Sequence, residues 1–259
     1  MCQDCGCSLT PHTHLHEHNH DHHHHSHEHQ KAHEHLHHNP QLNDSKTISV
    51  ISKILDKNDQ EAKHNRSHFD QKGVLAINLM SSPGSGKTSL LEALAELGEF
   101  KFAVVEGDLE TSKDADRIKA KGIEAHQIQT GSACHLDAFM VHEALHHINL
   151  ENIDVCFVEN VGNLVCPASY DVGTHLNIVL VSVPEGADKI EKYPVMFHQA
   201  DLVLITKTDL LPYFDFDMDY AKKSARAIKP NVDILELNIK DESSVKKVAE
   251  WIKFKISMR

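Results

Sequence analysis

The chain is 259 residues long, carries a formal charge of −12 and is 40% hydrophobic. That balance excludes a nucleic-acid binder, because no basic stripe offsets phosphates, and excludes a chain disordered throughout. No apolar run reaches the roughly 18 residues of a membrane span and no signal peptide precedes the fold, so a cytoplasmic protein without a membrane partner is expected.

The first 38 residues hold Cys2, Cys5, Cys7 and fifteen histidines, with hardly a large apolar side chain among them. A packed core has no use for such a segment. Thiolate and imidazole are the ligands that nickel, zinc and copper prefer, so residues 1–43 read as a disordered, metal-binding tail. The histidines alternate with Glu, Asn, Thr and Leu, unlike a purification tag. Cys2, Cys5 and Cys7 form C-x-x-C-x-C beside the chain's amine, a mixed N/S set that suits square-planar Ni²⁺ or thiolate-bound Zn²⁺. Protons compete for the imidazoles, so the tail should lose metal as pH falls below about 6.5.

Residues 44–69 form an N-terminal helical segment, with Ile48, Ile51, Ile54 and Leu55 at helical spacing. From residue 70 to 259 apolar runs alternate with helical patterns. The runs are Val74–Met80, Phe102–Glu106, Asp154–Glu159, Leu176–Val183, Leu202–Thr206 and Asp233–Leu237. Between them lie helical stretches at Thr88–Leu97, Asp114–Lys121, Leu136–Ile148, Asp217–Ile228 and Ser243–Lys255. Such alternation predicts an α/β fold, a mostly parallel sheet with helices on both faces and ligands at the carboxyl ends of the strands.

The first run leads into Ser81-Ser82-Pro83-Gly84-Ser85-Gly86-Lys87-Thr88, a G-x-x-x-x-G-K-[ST] phosphate loop with Ser81 for the first glycine. Gly84 and Gly86 let backbone amides wrap the phosphates, and the helix start adds its positive end. Lys87 is placed to reach the β- and γ-phosphates, Thr88 to bind Mg²⁺, and Ser85 and Ser89 to line the same site. Asp108 and Glu159 stand at strand ends. Each suits the orienting of attacking water or the holding of Mg²⁺ through its shell. Gly162 is positioned to offer its amide to the γ-phosphate. Thr206-Lys207-Thr208-Asp209 is close to the N-K-x-D signature of GTPases. Asp209 accepts from the guanine N1–H and 2-amino groups, which adenine lacks, and the Lys207 stem covers the base.

Cys134 and His135 are adjacent, and Cys166 follows Gly162. Two thiolates and an imidazole suit Zn²⁺ or Ni²⁺. Cys156, inside an apolar run, reads as a core thiol.

Together these residues resemble the hydrogenase nickel-incorporation GTPase family, HypB. The resemblance covers about residues 70–255 and the Met1–Cys7 start. It is carried by Ser81–Thr88, Glu106-Gly107-Asp108, Thr130–Leu136, Glu159–Pro167 and Glu185–Phe197. It implies a P-loop fold of the signal-recognition and MinD-like class that dimerises with GTP and hydrolyses it. It also implies a nickel site at Cys2, Cys5 and Cys7, and a Zn²⁺ or Ni²⁺ site at Cys134, His135 and Cys166 on the dimer face. Nickel would pass to a HypA-type chaperone and the hydrogenase large-subunit precursor. Lys189 and Lys192 would lie near the dimer interface. Asn238 and Lys240 replace the usual Ser-Ala-Lys guanine loop. The rivals are a urease-type nickel-delivery GTPase and a metal-storage protein with a vestigial GTPase.

Overall fold

The structure, a computed structural model, describes residues 45–108 and 113–259, with side chains from Ser49 onward. Cys2, Cys5, Cys7 and the histidine tract lie outside the described residues. Seven strands form one sheet, β1 (Leu75–Ser81), β2 (Phe102–Asp108), β3 (Glu124–Gln129), β4 (Val155–Glu159), β5 (Leu176–Ser182), β6 (Leu202–Thr206) and β7 (Asp233–Leu237). Their order is β3-β2-β4-β1-β5-β6-β7 and every pairing is parallel. The central strands are buried along their whole length, as a sheet covered on both faces requires.

Side-chain alternation sends each strand into two cores. On one face Leu75, Ile77 and Leu79 pack with helices α2 (Lys87–Leu97) and α8 (Glu242–Ser257). On the other, Ala76, Ala103, Val105 and Cys156 meet α1 (Ser45–Lys72) and α4 (Ala138–Leu145). Helices α3 (Lys113–Ala120), α5 (Lys189–Lys192), α6 (Pro194–Gln199) and α7 (Met218–Ile228) complete the layers.

Two features depart from the sequence reading. β3 is a seventh strand that the hydropathy pattern hides, because Glu-Ala-His-Gln-Ile-Gln is a largely polar edge strand with one buried residue, Ala125. The amphipathic segment near residue 45 continues as one helix to Lys72, about 42 Å long at 1.5 Å per residue. Its inward asparagines explain why: Asn58 Oδ1 accepts from the Ala138 amide at 2.9 Å, and Asn65 Nδ2 donates to the Ala138 and Val172 carbonyls. α1 thereby satisfies the open end of α4 and fixes where α4 begins.

Candidate nucleotide site and metal centre

The loop from β1 to α2 turns at Gly84 (φ 74°) and Gly86 (φ 103°), backbone that side-chain-bearing residues rarely adopt. No side chain caps α2, which leaves its positive end open to an anion. Ser81, in place of the usual glycine, accepts a hydrogen bond from Lys87 Nζ at 3.2 Å. Three contacts brace the loop from behind. Ser85 Oγ donates to Glu185 at 2.7 Å, Thr206 Oγ1 donates to the Ser85 carbonyl at 2.7 Å, and Lys207 Nζ donates to the Gly84 carbonyl at 2.7 Å.

Glu185 is a residue that sequence reasoning missed. Burial works against its charge, but hydrogen bonds from Ser182, Ser82 and Ser85 outweigh this and keep it more acidic than an ordinary glutamate. Its signal was present in Ser182-Val-Pro-Glu185, a capping box.

A cleft of about 380 Å³ opens over the loop. Gly84, Gly86, Lys87, Thr88 and Ser89 line it from below, Asp108, Glu159 and Gly162 from one side, and Lys207 from the other. The structure thus brings these candidates together. Ser85 is the exception on the loop, since its side chain is buried and turned to Glu185. Asp209 does not form a wall of the cleft either; it stands beyond Lys207, paired with Lys240 at 2.7 Å. That hydrogen bond holds the Asp209 carboxyl below its ordinary range. Lys240, reached through an Asx turn on Asn238, therefore occupies the corner where a guanine loop would close.

The cleft floor holds a second residue missed in the sequence. Glu106 of β2 lies in register opposite Glu159 of β4, and both are nearly fully buried. Burial, then the neighbouring Glu159 and Asp108, push the Glu106 carboxyl up to about 8. Burial pushes Glu159 up to about 6, with Lys87 and the Thr88 hydroxyl, which donates at 2.8 Å, opposing. The Lys87 ammonium is lowered by burial and partly restored by the same acids. One buried oxygen of Glu106 and one of Glu159 has no hydrogen-bond partner. Two desolvated carboxylates with orphan oxygens beside a threonine hydroxyl fit a hard divalent cation such as Mg²⁺.

A pH dependence follows. An unfolded glutamate titrates near about 4.3, so the folded chain retains protons above that value and loses stability as pH rises through 6 and then 8. Mg²⁺ needs the ionised oxygens, so its affinity with nucleotide should climb between pH 6 and 8 and level off above. Calorimetry in buffers of different ionisation enthalpy should show proton release near pH 7, absent in Glu106→Gln.

Cys134, His135 and Cys166 converge: their ligand atoms all lie within 4.8 Å of one another. Cys134 and His135 come just ahead of α4, whose Asp137 caps the Met140 amide at 2.8 Å. The two sulfurs are 2.8 Å apart with no disulfide between them, and Cys134 Sγ lies 3.8 Å from His135 Nδ1. His135 is buried and stacks on Tyr170 at 4.0 Å. Asn163 donates to Cys166 Sγ at 3.6 Å, while its Oδ1 accepts from the Val165 and Cys166 amides. Cys156 stands apart as a core thiol, its pKa pushed up to about 12 by burial.

The two sites share walls. Gly162, four residues before Cys166, is so close to the phosphate loop that an added Cβ would sit 2.8 Å from the Pro83 backbone. A Cβ on Gly107 would likewise meet the Leu136 side chain, next to His135, at 2.8 Å. Asn160, fully buried beside Glu159, accepts from the Leu136 amide at 3.0 Å. The Thr130 amide donates to the Asp108 carbonyl at 2.9 Å, which ties the loop before Cys134 to the end of β2. Lys189 and Lys192 are engaged within the chain, the first over the Tyr193 ring at 5.6 Å and the second on Asp188.

Residues 75–236 match the family model described as CobW/HypB/UreG, nucleotide-binding domain. The hydrogenase/urease maturation factor HypB of Helicobacter hepaticus is 50% identical over 224 residues, 85% of this chain and 92% of the relative. The hydrogenase maturation factor HypB of Azotobacter vinelandii is 45% identical over 217 residues, 83% of this chain and 72% of the relative. Among solved structures, HypB from Helicobacter pylori in complex with nickel superposes with a TM-score of 0.77 at 46% identity, covering 78% of this chain and 96% of that one. HypB from Archaeoglobus fulgidus does so with a TM-score of 0.71 at 37% identity, covering 79% and 99%.

Proposed function

The chain belongs to the HypB family within the CobW/HypB/UreG group, and from that premise we propose that it is a GTP-hydrolysing metallochaperone that loads nickel into hydrogenase. One observation carries the reading: a single segment, from Glu159 at the end of β4 to Cys166, bears an acid of the phosphate cleft, a glycine pressed on the phosphate loop and a thiol of the Cys134–His135–Cys166 cluster. In this reading Lys87 and the amides around Gly84 and Gly86 hold the β- and γ-phosphates. Thr88 and Glu159, already hydrogen-bonded to each other, would hold Mg²⁺ with Glu106 behind them. The ion supplies neutralisation of phosphate charge. Asp108, which lines the same cleft at the end of β2, then orients the attacking water. Water adds to the γ-phosphorus, the bond to the β-phosphate oxygen breaks, and GDP and phosphate leave. Asp209 selects guanine after exchanging Lys240 for the base, with Lys207 packed against it.

Loss of the γ-phosphate frees Gly162 and shifts Cys166, so nucleotide state sets metal affinity. The loaded form is a GTP-bound homodimer with the Cys134, His135 and Cys166 centre at its face, where Val165 is exposed beside Cys166. Cys2, Cys5 and Cys7 capture Ni²⁺, Zn²⁺ competes at the internal centre, and a HypA-type chaperone and the hydrogenase large-subunit precursor receive the ion. The Helicobacter relatives carry urease in their names, which favours urease as a second recipient.

The test is linkage. Coupling of about 1–3 kcal/mol changes metal affinity roughly 5- to 150-fold between GTP-analogue and GDP forms, and metal must change nucleotide affinity by the same factor. Gly162→Ala forces the loop off Pro83 and should abolish that factor while leaving metal binding itself. Equal metal affinity in both nucleotide states of the wild type would refute the delivery cycle.

A further inference from the structure

Away from the cleft, the outer seam of α1 and α4 gathers Glu61, His64 and His68 from one helix, His142 and Glu143 from the other, and His146, which ends it. Three ligand atoms of His142, Glu143 and His146 lie within 4.8 Å of one another, and those of Glu61, His64 and His142 form a second such group. Both groups share His142, so its proton decides between them. Asn65 uses its Nδ2 to donate to the Ala138 and Val172 carbonyls, which leaves its Oδ1 as the acceptor 3.2 Å from His142 Nδ1. Glu61 Oε1 is also 3.2 Å from that nitrogen. The Nδ1 of His142 therefore carries the hydrogen, and its Nε2 lone pair points outward.

There it faces His146 Nε2 at 3.2 Å, one helical turn away. Two nitrogens about 2.0–2.1 Å from a tetrahedral ion lie about 3.3 Å apart. A carboxylate on the far nitrogen is the usual way to hold a ligating imidazole. We propose that His142, His146 and the Glu143 carboxylate form a separate site for a borderline divalent cation of the nickel and zinc class, with Glu61 as its positioning residue. The site stands on its own geometry, independent of the GTPase reading. It places a holding point on the last turn of α4, roughly 12 Å along the helix from the end that carries Cys134 and His135.

The experiment labels histidines of the full chain with diethylpyrocarbonate at free Zn²⁺ or Ni²⁺ set by a metal buffer, so the tail cannot deplete the ion. Reactivity is read peptide by peptide. His142 and His146 should lose reactivity together. His146→Gln, an exposed position, should restore reactivity at His142 while alkylation of Cys134 and Cys166 stays metal-protected. Glu61→Gln should raise the midpoint by a factor of about 10–100. If His142 and His146 remain reactive at metal levels that protect the cysteines, or if His142 is protected equally in His146→Gln, the site does not exist.

Discussion

Lys87→Ala is expected to lower kcat/KM for GTP by about 10²- to 10³-fold, the cost of removing one preorganised charge from a phosphoryl-transfer site. Lys87 is buried, rises from the first turn of α2 and is aimed over Ser81 into the cleft. No other described lysine or arginine occupies that floor: Lys207 is tied to the Gly84 carbonyl, and Arg117 is held by Glu92 and Asp114. The fold should survive, because Glu106 and Glu159 can answer the lost cation by staying protonated to higher pH. Nucleotide titration and circular dichroism separate the two effects. A variant that folds, loads metal and turns over GTP within tenfold of wild type would remove Lys87 from the mechanism. A variant that loads metal but no longer delivers it would exclude simple storage.

Cys166→Ser is expected to weaken Ni²⁺ or Zn²⁺ at the internal centre by more than 100-fold. A serine hydroxyl stays protonated and is a poor ligand for these ions, and only one thiolate and one imidazole would remain. Asn163→Ala supplies the scale for comparison. It removes a donor to Cys166 Sγ and the acceptor that fixes the Cys166 amide, and loss of such an outer partner costs about 10- to 100-fold. The ordering matters more than either value. Thiolate-to-metal charge-transfer absorption in a competition titration should rank wild type above Asn163→Ala above Cys166→Ser. If both variants bind alike, Cys166 is not a ligand and the loop loses its link to the metal.

The nucleotide cleft was legible in the chain because its chemistry is local. Ser81–Thr88 needs a strand, a turn with two glycines and a helix in immediate succession, and all three are written within about twenty residues. The parallel sheet was legible for a related reason. Strands buried on both faces read as nearly continuous apolar runs, and β1, β4 and β6 do, interrupted only by Asn78 and by polar residues at their carboxyl ends. β3 escaped because an edge strand has only half its surface to bury and tolerates Gln, His and Glu. The metal set was legible by residue type, but 32 positions separate Cys134 from Cys166, and spacing alone does not bring them together.

What the sequence determined by itself is therefore the class of the fold, the phosphate loop and the inventory of candidate metal ligands, since each is read from residue types and neighbours along the chain. Tertiary structure decided the rest. Glu106 became a floor residue only when β2 paired in register with β4 and set it, buried, against Glu159. Gly162 came to join the phosphate loop to the segment that carries Cys166 only when its bare Cα met Pro83. His142 and His146 became a candidate site only when α1 supplied Glu61 and Asn65 to hold the ring from behind. Charge, close approach and imidazole orientation each depend on which groups share a small volume, and folding brings those groups together from distant parts of the chain.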